Sequence, residues 1–467
     1  MRNTIVRLQE IEIKNLKNVE YGKVTLQSYN NLRKKINGTK EEKATDILGI
    51  YGQNGSGKTS LVDSINILET LLLGKELSSD IKYLINNNEA NNYLELNFKF
   101  FIKNLNGEFL VDYKAILNKG KENDGIRVEN EVLSYSNIWN KNERSKEIID
   151  YNINNEECVF YPKKIYNMVI KNEKSNNINL NVSKAISIEK STSFIFNERT
   201  LNILNQSLEE NLSNILNSLV YFAKFNLFVI RNEQSGIINM NSLLPFSFRL
   251  ENEGSIISGG YIALFKKSNL EEDKLELLKK IINQINIVIK YIIPEFEIGI
   301  EEYGKQLDEE GKLTTEIELV SIRENKEIPL KYESDGIKKI ISILSAIIAM
   351  YNNETICVVI DELDAGIFEY LLGEILGVLE ERAKGQLIFT SHNLRALEKL
   401  GKDSIIFTTI NPKNRYVKLT NVKSNNNLRD FYYRVISLGG QKEGLYNETN
   451  TFEMSYAFRK AGKILNE

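Results

Sequence analysis

The sequence predicts an α/β protein with a mixed central sheet, an antiparallel β subdomain and a helical insert, and three observations carry that expectation. Ile47, Leu48 and Ile50 form a short apolar run that leads into the glycine-rich stretch Gly52-Gln53-Asn54-Gly55-Ser56-Gly57-Lys58-Thr59-Ser60, after which Leu61, Ile65, Ile67 and Leu68 recur at helical spacing. Thr355 to Ile360 is an almost unbroken β-branched run ending at Asp361-Glu362, the pattern of a parallel strand buried on both faces. Tyr93 to Phe101, Phe109 to Leu117 and Val128 to Tyr135 read as strands separated by Asn, Gly and Lys turns, as in an antiparallel sheet.

Composition sets the limits. The 467 residues suffice for one large composite domain or two. With 42% hydrophobic and 26% charged residues the chain reads as an ordinary soluble globular protein, and its net charge of -3 argues against bulk attraction to nucleic acid or anionic membrane while leaving local basic patches open. Cys158 and Cys357 are far apart and lack metal-ligand spacing, which points to a reducing compartment. Met1 to Asn15 is charged and alternating, and no apolar run reaches membrane-spanning length, so a cytoplasmic location without membrane association is expected.

In chain order, Val6-Arg7-Leu8 and Ile11-Glu12-Ile13 alternate as strand, Asn15 to Asn18 turns, and Lys23 to Leu26 returns as a second strand. Tyr29 to Lys43, with the basic triplet Arg33-Lys34-Lys35, reads as a surface loop. Asn137 to Ile186 carries no decisive pattern. Leu201, Leu204, Leu208, Leu212, Ile215, Leu219 and Phe222 form one stripe, predicting a single helix of about 25 residues. A second helical stretch, Leu270 to Ile292, stops at Pro294. Neither helix is long enough for an extended coiled-coil arm. The organisation expected is residues 1–190 with the glycine-rich loop and β subdomain, 191–320 as helical insert with connecting strands, 321–425 as the second part of the head, and 426–467 as an appendage.

The stretch from Gly52 to Thr59 matches G-x-x-x-x-G-K-[ST] between a strand and a helix. Its glycines let backbone N–H groups turn inward on phosphates, the helix N-terminus adds partial positive charge, Lys58 reaches the outer phosphates, and Thr59 offers a hydroxyl to magnesium. Asp361-Glu362, at the carboxyl edge of its strand, supplies the complementary pair: Asp361 to hold magnesium through water, Glu362 to polarise an attacking water. Gln386 to Ser391 reads as another buried strand and ends at His392, the only histidine; a lone histidine is more often structural, yet this one falls at the same edge. Ser334-Asp335-Gly336 precedes the apolar helix Ile337 to Met350. It reads equally as an anion site or as an ordinary serine N-cap.

Taken in order, these motifs resemble those of ABC-type ATPase heads of the soluble SMC and double-strand-break-repair kind. Within that group the chain most resembles compact bacterial AAA-family ATPases that keep an SMC-like head without long arms, often linked to phage defence in abortive-infection and OLD-like systems. The resemblance covers roughly residues 1–70 and 325–425. It implies ATP and Mg2+ as cofactors, with Ser334 and Gly336 touching the γ-phosphate held by the opposite subunit, Asp364 as the D-loop residue and His392 as the switch histidine. It also implies a homodimer or larger assembly with ATP at the interface, and a separately encoded effector protein. The signature Ser334-Asp335-Gly336-Ile337 lacks the second glycine and the glutamine of the transporter form, and no Q-loop glutamine stands out. Ser437-Leu438-Gly439-Gly440-Gln441 looks closer to that form but follows His392, the wrong order, and reads as a turn. The tail from Asn421 to Glu467 mixes Lys423, Arg429, Phe431, Tyr432, Tyr433 and Arg434; a docking surface is the preferred reading, and nucleic acid stays open. A DNA-repair or chromosome-type ATPase acting directly on DNA is the alternative function. The ATPase subunit of a membrane transporter is disfavoured by the degenerate signature and the large insert.

Overall fold

A slip in the apolar alternation of the first strand shows how sequence shapes this fold. In the computed structural model, which describes residues 4–26, 46–86, 92–119, 125–138, 144–233, 243–252, 255–264, 266–307, 311–324, 326–420 and 427–464, β1 (Ile5–Leu16) and β2 (Val19–Thr25) form a hairpin. Val6 and Leu8 are buried, and so are Ile11 and Ile13, although three residues rather than two separate the pairs. A register shift between Leu8 and Glu10 absorbs the extra residue as a bulge and keeps all four side chains on the core face. The predicted loop Tyr29 to Lys43, with its basic triplet, lies outside the described residues, as does Lys423.

β3 (Asp46–Tyr51) enters the glycine-rich loop and α1 (Lys58–Leu72) leaves it. Then come β4 (Tyr93–Asn104), β5 (Gly107–Lys119), β6 (Ile126–Asn137), β7 (Lys146–Asn152) and β8 (Phe160–Tyr161), which with the first hairpin make a seven-stranded antiparallel sheet in the order β2-β1-β4-β5-β6-β7-β8. This is the predicted β subdomain. The weakly patterned stretch after it holds α2 (Lys163–Asn172) and α3 (Asn176–Glu189).

The single helix expected from the long leucine stripe is two: α4 (Glu198–Ser207) and α5 (Glu210–Phe225), with Leu208 and Glu209 in extended conformation between them. Polar side chains explain the break. Asn205 accepts from Ser213 Oγ at 2.5 Å and exchanges bonds with Asn217 at 2.9 and 3.1 Å. In one straight helix residues 205 and 217 would lie about 18 Å apart, so these bonds form only when the chain folds back. The stripe continues through the break because both helices pack on one core.

β9 (Leu227–Ile230), although inside the span read as an insert, joins the central sheet; β10 (Leu243–Asn252) and β11 (Ser255–Ala263) form a hairpin. β12 (Ser268–Glu271), which takes Leu270 out of the predicted helix, precedes α6 (Glu272–Ile292), whose Leu275, Leu278, Ile282, Ile285 and Ile289 recur at helical spacing and are buried. β13 (Glu297–Leu307), β14 (Leu313–Arg323) and β15 (Lys326–Pro329) complete a smaller antiparallel sheet with β12. The remaining elements are α7 (Asp335–Asn352), β16 (Cys357–Ile360), α8 (Glu369–Arg382), β17 (Gln386–Thr390), β18 (Ile405–Thr408), β19 (Tyr416–Val417), α9 (Leu428–Leu438) and α10 (Thr451–Ile464). Gly439 and Gly440, at φ 71° and 97°, end α9, so the Ser437 to Gln441 stretch is a helix terminus and turn.

The central sheet runs β19-β18-β3-β17-β16-β9, parallel throughout except at β19. Alternate residues of its strands feed two cores: Leu48, Ile50, Val359 and Ile388 face the cluster containing α1 and the antiparallel sheet, while Ile47, Val358, Leu387 and Phe389 face the cluster containing α7 and α8. Cys357 and Cys158 are both buried and free, and burial pushes the Cys357 thiol up to about 12. The two large sheets are joined by Gln386, whose side chain accepts the Leu8 N–H and donates to the Leu8 carbonyl, both at 2.8 Å, as a neighbouring strand would. Asp46 accepts from the same amide at 2.8 Å and from Arg7 at 3.0 Å. Among the described residues no helix is long and apolar enough to cross a membrane.

A buried carboxylate ties the antiparallel sheet to the segment before α4. Glu131 accepts from Tyr113 Oη, Ser193 Oγ and the Phe194 N–H, each at 2.6 Å. Burial raises its pKa against those bonds. Glu131→Leu strands three buried donors and is expected to lower stability by about 3 kcal/mol, read from a denaturant midpoint; an unchanged midpoint would show that the knot contributes nothing.

Candidate nucleotide site

The register of the parallel strands builds the site. Thr390 pairs with Ile50 across β17 and β3, and Phe389 pairs with Ile360 across β17 and β16, so all three strands end at one edge. The chain leaving β3 becomes the glycine-rich loop, that leaving β16 becomes Asp361-Glu362, and that leaving β17 reaches His392. Such a carboxyl edge is where open α/β sheets hold ligands.

The loop is braced from both sides. Gly57, at φ 94°, turns directly into α1 in a conformation that suits glycine, and a Cβ there would stand 3.0 Å from Val19. Ser56 Oγ donates to the Gln53 carbonyl at 2.7 Å and lies 2.5 Å from Thr408 Oγ1 on β18. The Asn18 amide, in the turn between β1 and β2, donates to the Gly55 carbonyl. Lys58 is buried and its Nζ donates to the carbonyls of Gly52 at 2.8 Å and Gln53 at 2.9 Å. Burial lowers its pKa, and Asp361, Glu362 and Asp364 oppose that shift.

Thr390 organises the carboxylates. Its hydroxyl donates to Asp361 Oδ1 at 2.5 Å and accepts the Glu362 N–H at 2.7 Å. Asp361 Oδ1 also lies 3.4 Å from Thr59 Oγ1. Glu362 has φ 49°, and its carbonyl accepts from the Lys339 ammonium on α7. Burial brings Lys339 down to about 8 even though Asp364, Glu362 and Asp361 hold it up. Asp364 Oδ2 accepts the His392 N–H at 3.1 Å. Burial and the charge of Lys58 keep the His392 imidazole below its ordinary range, against the three carboxylates, which favours the neutral ring at pH 7.

A cavity of about 470 Å³ opens here, lined by Asn54, Gly55, Gly57, Lys58, Thr59, Ser60, Glu362 and His392 and also by Lys17, Asn18 and Thr390. Those last three, and Lys339, are not among the site residues that the sequence motifs point to. One signal was available: two lysines interrupt an otherwise apolar helix at Lys338-Lys339. Gly52, Gln53 and Ser56 form the back of the loop, and Asp361 sits behind the lining, 3% exposed. Ser334 and Gly336 do not reach this cavity. Ser334 is exposed and caps α7, accepting the Ile337 N–H at 3.4 Å; Gly336 packs so closely on the loop after Asp361 that a Cβ would fall 1.9 Å from the Gly366 carbonyl oxygen.

The donor set fits a nucleotide with magnesium. A lysine bonded to loop carbonyls can exchange them for phosphate oxygens, and a threonine hydroxyl beside a buried carboxylate offers the hard oxygen donors that magnesium prefers, with few protein ligands. The arrangement therefore brings a cation, hard oxygen donors and a carboxylate around one volume.

Comparison with known proteins bears on this site. The sequence profile of the family described as "AAA domain, putative AbiEii toxin, Type IV TA system" matches residues 47–398, from the strand before the glycine-rich loop to just past His392. Among solved structures, the chain is similar to the SMC head domain from Thermotoga maritima, at 12% identity over 88% of this chain and 99% of that one with a TM-score of 0.38. It is also similar to a Smc head domain with an extended coiled coil bound to the C-terminal domain of ScpA, derived from Pyrococcus furiosus, at 14% identity over 89% and 96% with a TM-score of 0.41. A third is the recombination mediator RecF with ATP, at 12% identity over 83% and 92% with a TM-score of 0.34. No curated protein matches. The profile spans well over half of the chain and both halves of the site, and the protein belongs to this AAA-domain family.

Proposed function

We propose that the protein is a cytoplasmic ATP-hydrolysing head that closes as a homodimer around ATP and, by closing and reopening, switches a separately encoded effector in bacterial anti-phage defence. The observation that carries the reading is the convergence of Lys58, Thr59, Glu362 and His392 on one cavity while Ser334 stays exposed outside it. The loop from Gly52 to Ser60 cradles the phosphates, and Lys58 trades its carbonyl bonds for the outer ones. Thr59 and Asp361 hold magnesium, which when bound neutralises phosphate charge. Glu362 orients and deprotonates the attacking water, and neutral His392 stands beside it. Ser334 and Gly336, at the N-terminus of α7, meet the nucleotide of a second copy, and Asp364 braces the loop between the two sites. The family's description names a putative toxin of a toxin–antitoxin system, a two-component arrangement, which supports a partner encoded on another chain.

The head is organised as 1–190, 191–320, 321–425 and 426–467, with β9 of the second span returning to the central sheet. A DNA-acting ATPase is the second reading. Its support is α10, where exposed Phe452, Tyr456 and Phe458 accompany Arg459, Lys460 and Lys463. Nucleic acid in the purified protein, removed by nuclease treatment, separates the two.

Lys58→Ala is expected to abolish ATP binding or turnover in a folded protein; unchanged affinity and rate would exclude the loop as the phosphate site. Glu362→Gln should bind ATP yet lose most hydrolysis, accumulating an ATP-bound dimer on sizing columns in magnesium, and hydrolysis at the parent rate would remove Glu362 as the base. Ser334→Arg tests sharing. It should leave monomer binding of ATP intact while blocking dimerisation and turnover. Mixed with Lys58→Ala it should restore activity, because one site of the heterodimer then carries neither change. Demonstrated heterodimers without activity would count against a shared site.

A further inference from the structure

α7 is apolar along most of its length, yet two lysines near its start are buried, Lys338 at 1% and Lys339 at 4% exposed. Lys338 pairs with Asp335 of the preceding turn at 2.9 Å. The Lys339 ammonium instead donates to a backbone carbonyl, that of Glu362. Burying an ammonium is costly unless its bonds are well used, and here the bond falls on the main chain of the one carboxylate lining the cavity.

Glu362 needs that support. Its φ of 49° lies in the left-handed region, which a residue with a Cβ seldom adopts. Its peptide groups are held on both sides by buried side chains: the N–H by the Thr390 hydroxyl at 2.7 Å and the carbonyl by Lys339. The same hydroxyl holds Asp361 at 2.5 Å. Gly336, three residues before Lys339, packs directly on Gly366 of the loop that Glu362 begins. The start of α7 thus grips this loop at two points.

We propose that Lys339 is the positioning residue of the hydrolytic carboxylate: by holding the Glu362 carbonyl it fixes the left-handed backbone that turns the Glu362 side chain into the cavity. This rests on the ATPase reading and deepens it. It also gives α7 two ends of one task, since the helix that starts at exposed Ser334 reaches Glu362 through Lys339 just over one turn later.

The test is steady-state kinetics, ATP binding and thermal melting of full-length Lys339→Met, which keeps length and burial and loses the ammonium. The expected result is a folded protein with ATP affinity and KM within about two-fold of the parent and kcat lower by on the order of 10²-fold. In the Glu362→Gln background the same change should lower kcat no further, because Lys339 acts through Glu362. If Lys339→Met does not fold, Lys339→Gln, which keeps an N–H donor, is read in its place with a smaller expected fall. A folded variant with the parent's kcat, an additive loss in the Glu362→Gln background, or failure of both variants to fold would each overturn the proposal, the last by marking Lys339 as structural. A parent chain that binds but never hydrolyses ATP overturns the ATPase reading itself and this proposal with it; an active parent matched by Lys339→Met overturns only the latter.

Discussion

The site exists because β17 lies between β3 and β16 in parallel register, so that the glycine-rich loop near the start of the chain and the two loops at Asp361 and His392 leave the sheet at one edge. Parallel strands buried on both faces have little freedom to slip, since a one-residue shift exchanges the two sets of side chains. Here Ile47, Val358 and Leu387 would trade places with Leu48, Val359 and Ile388 between two cores built around different helices. Register therefore fixes the relative height of Lys58, Asp361 and His392 before any of their own bonds form. The Gln386 bridge to Leu8 extends that fixity to the antiparallel sheet, whose first turn supplies Lys17 and Asn18 to the cavity.

Charge at the site is arranged for chemistry more than for stability. Lys58 and Lys339 are both buried and both face Asp361, Glu362 and Asp364. Burial works against the charge of each ammonium, and the carboxylates work the other way, so neither cation is held by simple ion pairing. Both direct their hydrogen bonds at backbone carbonyls instead, Lys58 within its own loop and Lys339 on the loop opposite. Preorganised groups of this kind cost folding energy, and under the proposed function that energy returns when phosphate charge arrives.

Much of this was legible in the sequence, and the reason is local. β3, β16 and β17 announce themselves as apolar runs because parallel strands are covered on both faces, and the glycine-rich loop does so because a phosphate cradle needs glycine at set spacings. Even the bulge in β1 is written in the three-residue step from Leu8 to Ile11. What stayed hidden depends on partners far away in the chain. Nothing near Asn18 says that its amide will brace Gly55, and nothing near Thr390 says that one hydroxyl will serve both Asp361 and Glu362. The break at Leu208 was missed for a related reason: the apolar stripe runs through it unbroken, and the asparagine bonds that turn the chain back carry no periodicity.

Both cysteines of the chain are buried in the interior, one of them at the start of β16 in the central sheet, paired with Gln386 of β17. Reagents that attack thiolates meet two buried sulfurs, and at Cys357 burial opposes ionisation as well. Maleimides and bifunctional crosslinkers are thus expected to leave the folded natural protein unlabelled. A cysteine introduced on the exposed start of α7 would answer alone, so that dyes or tethers can report whether one copy approaches another there without first stripping the chain of its own sulfur.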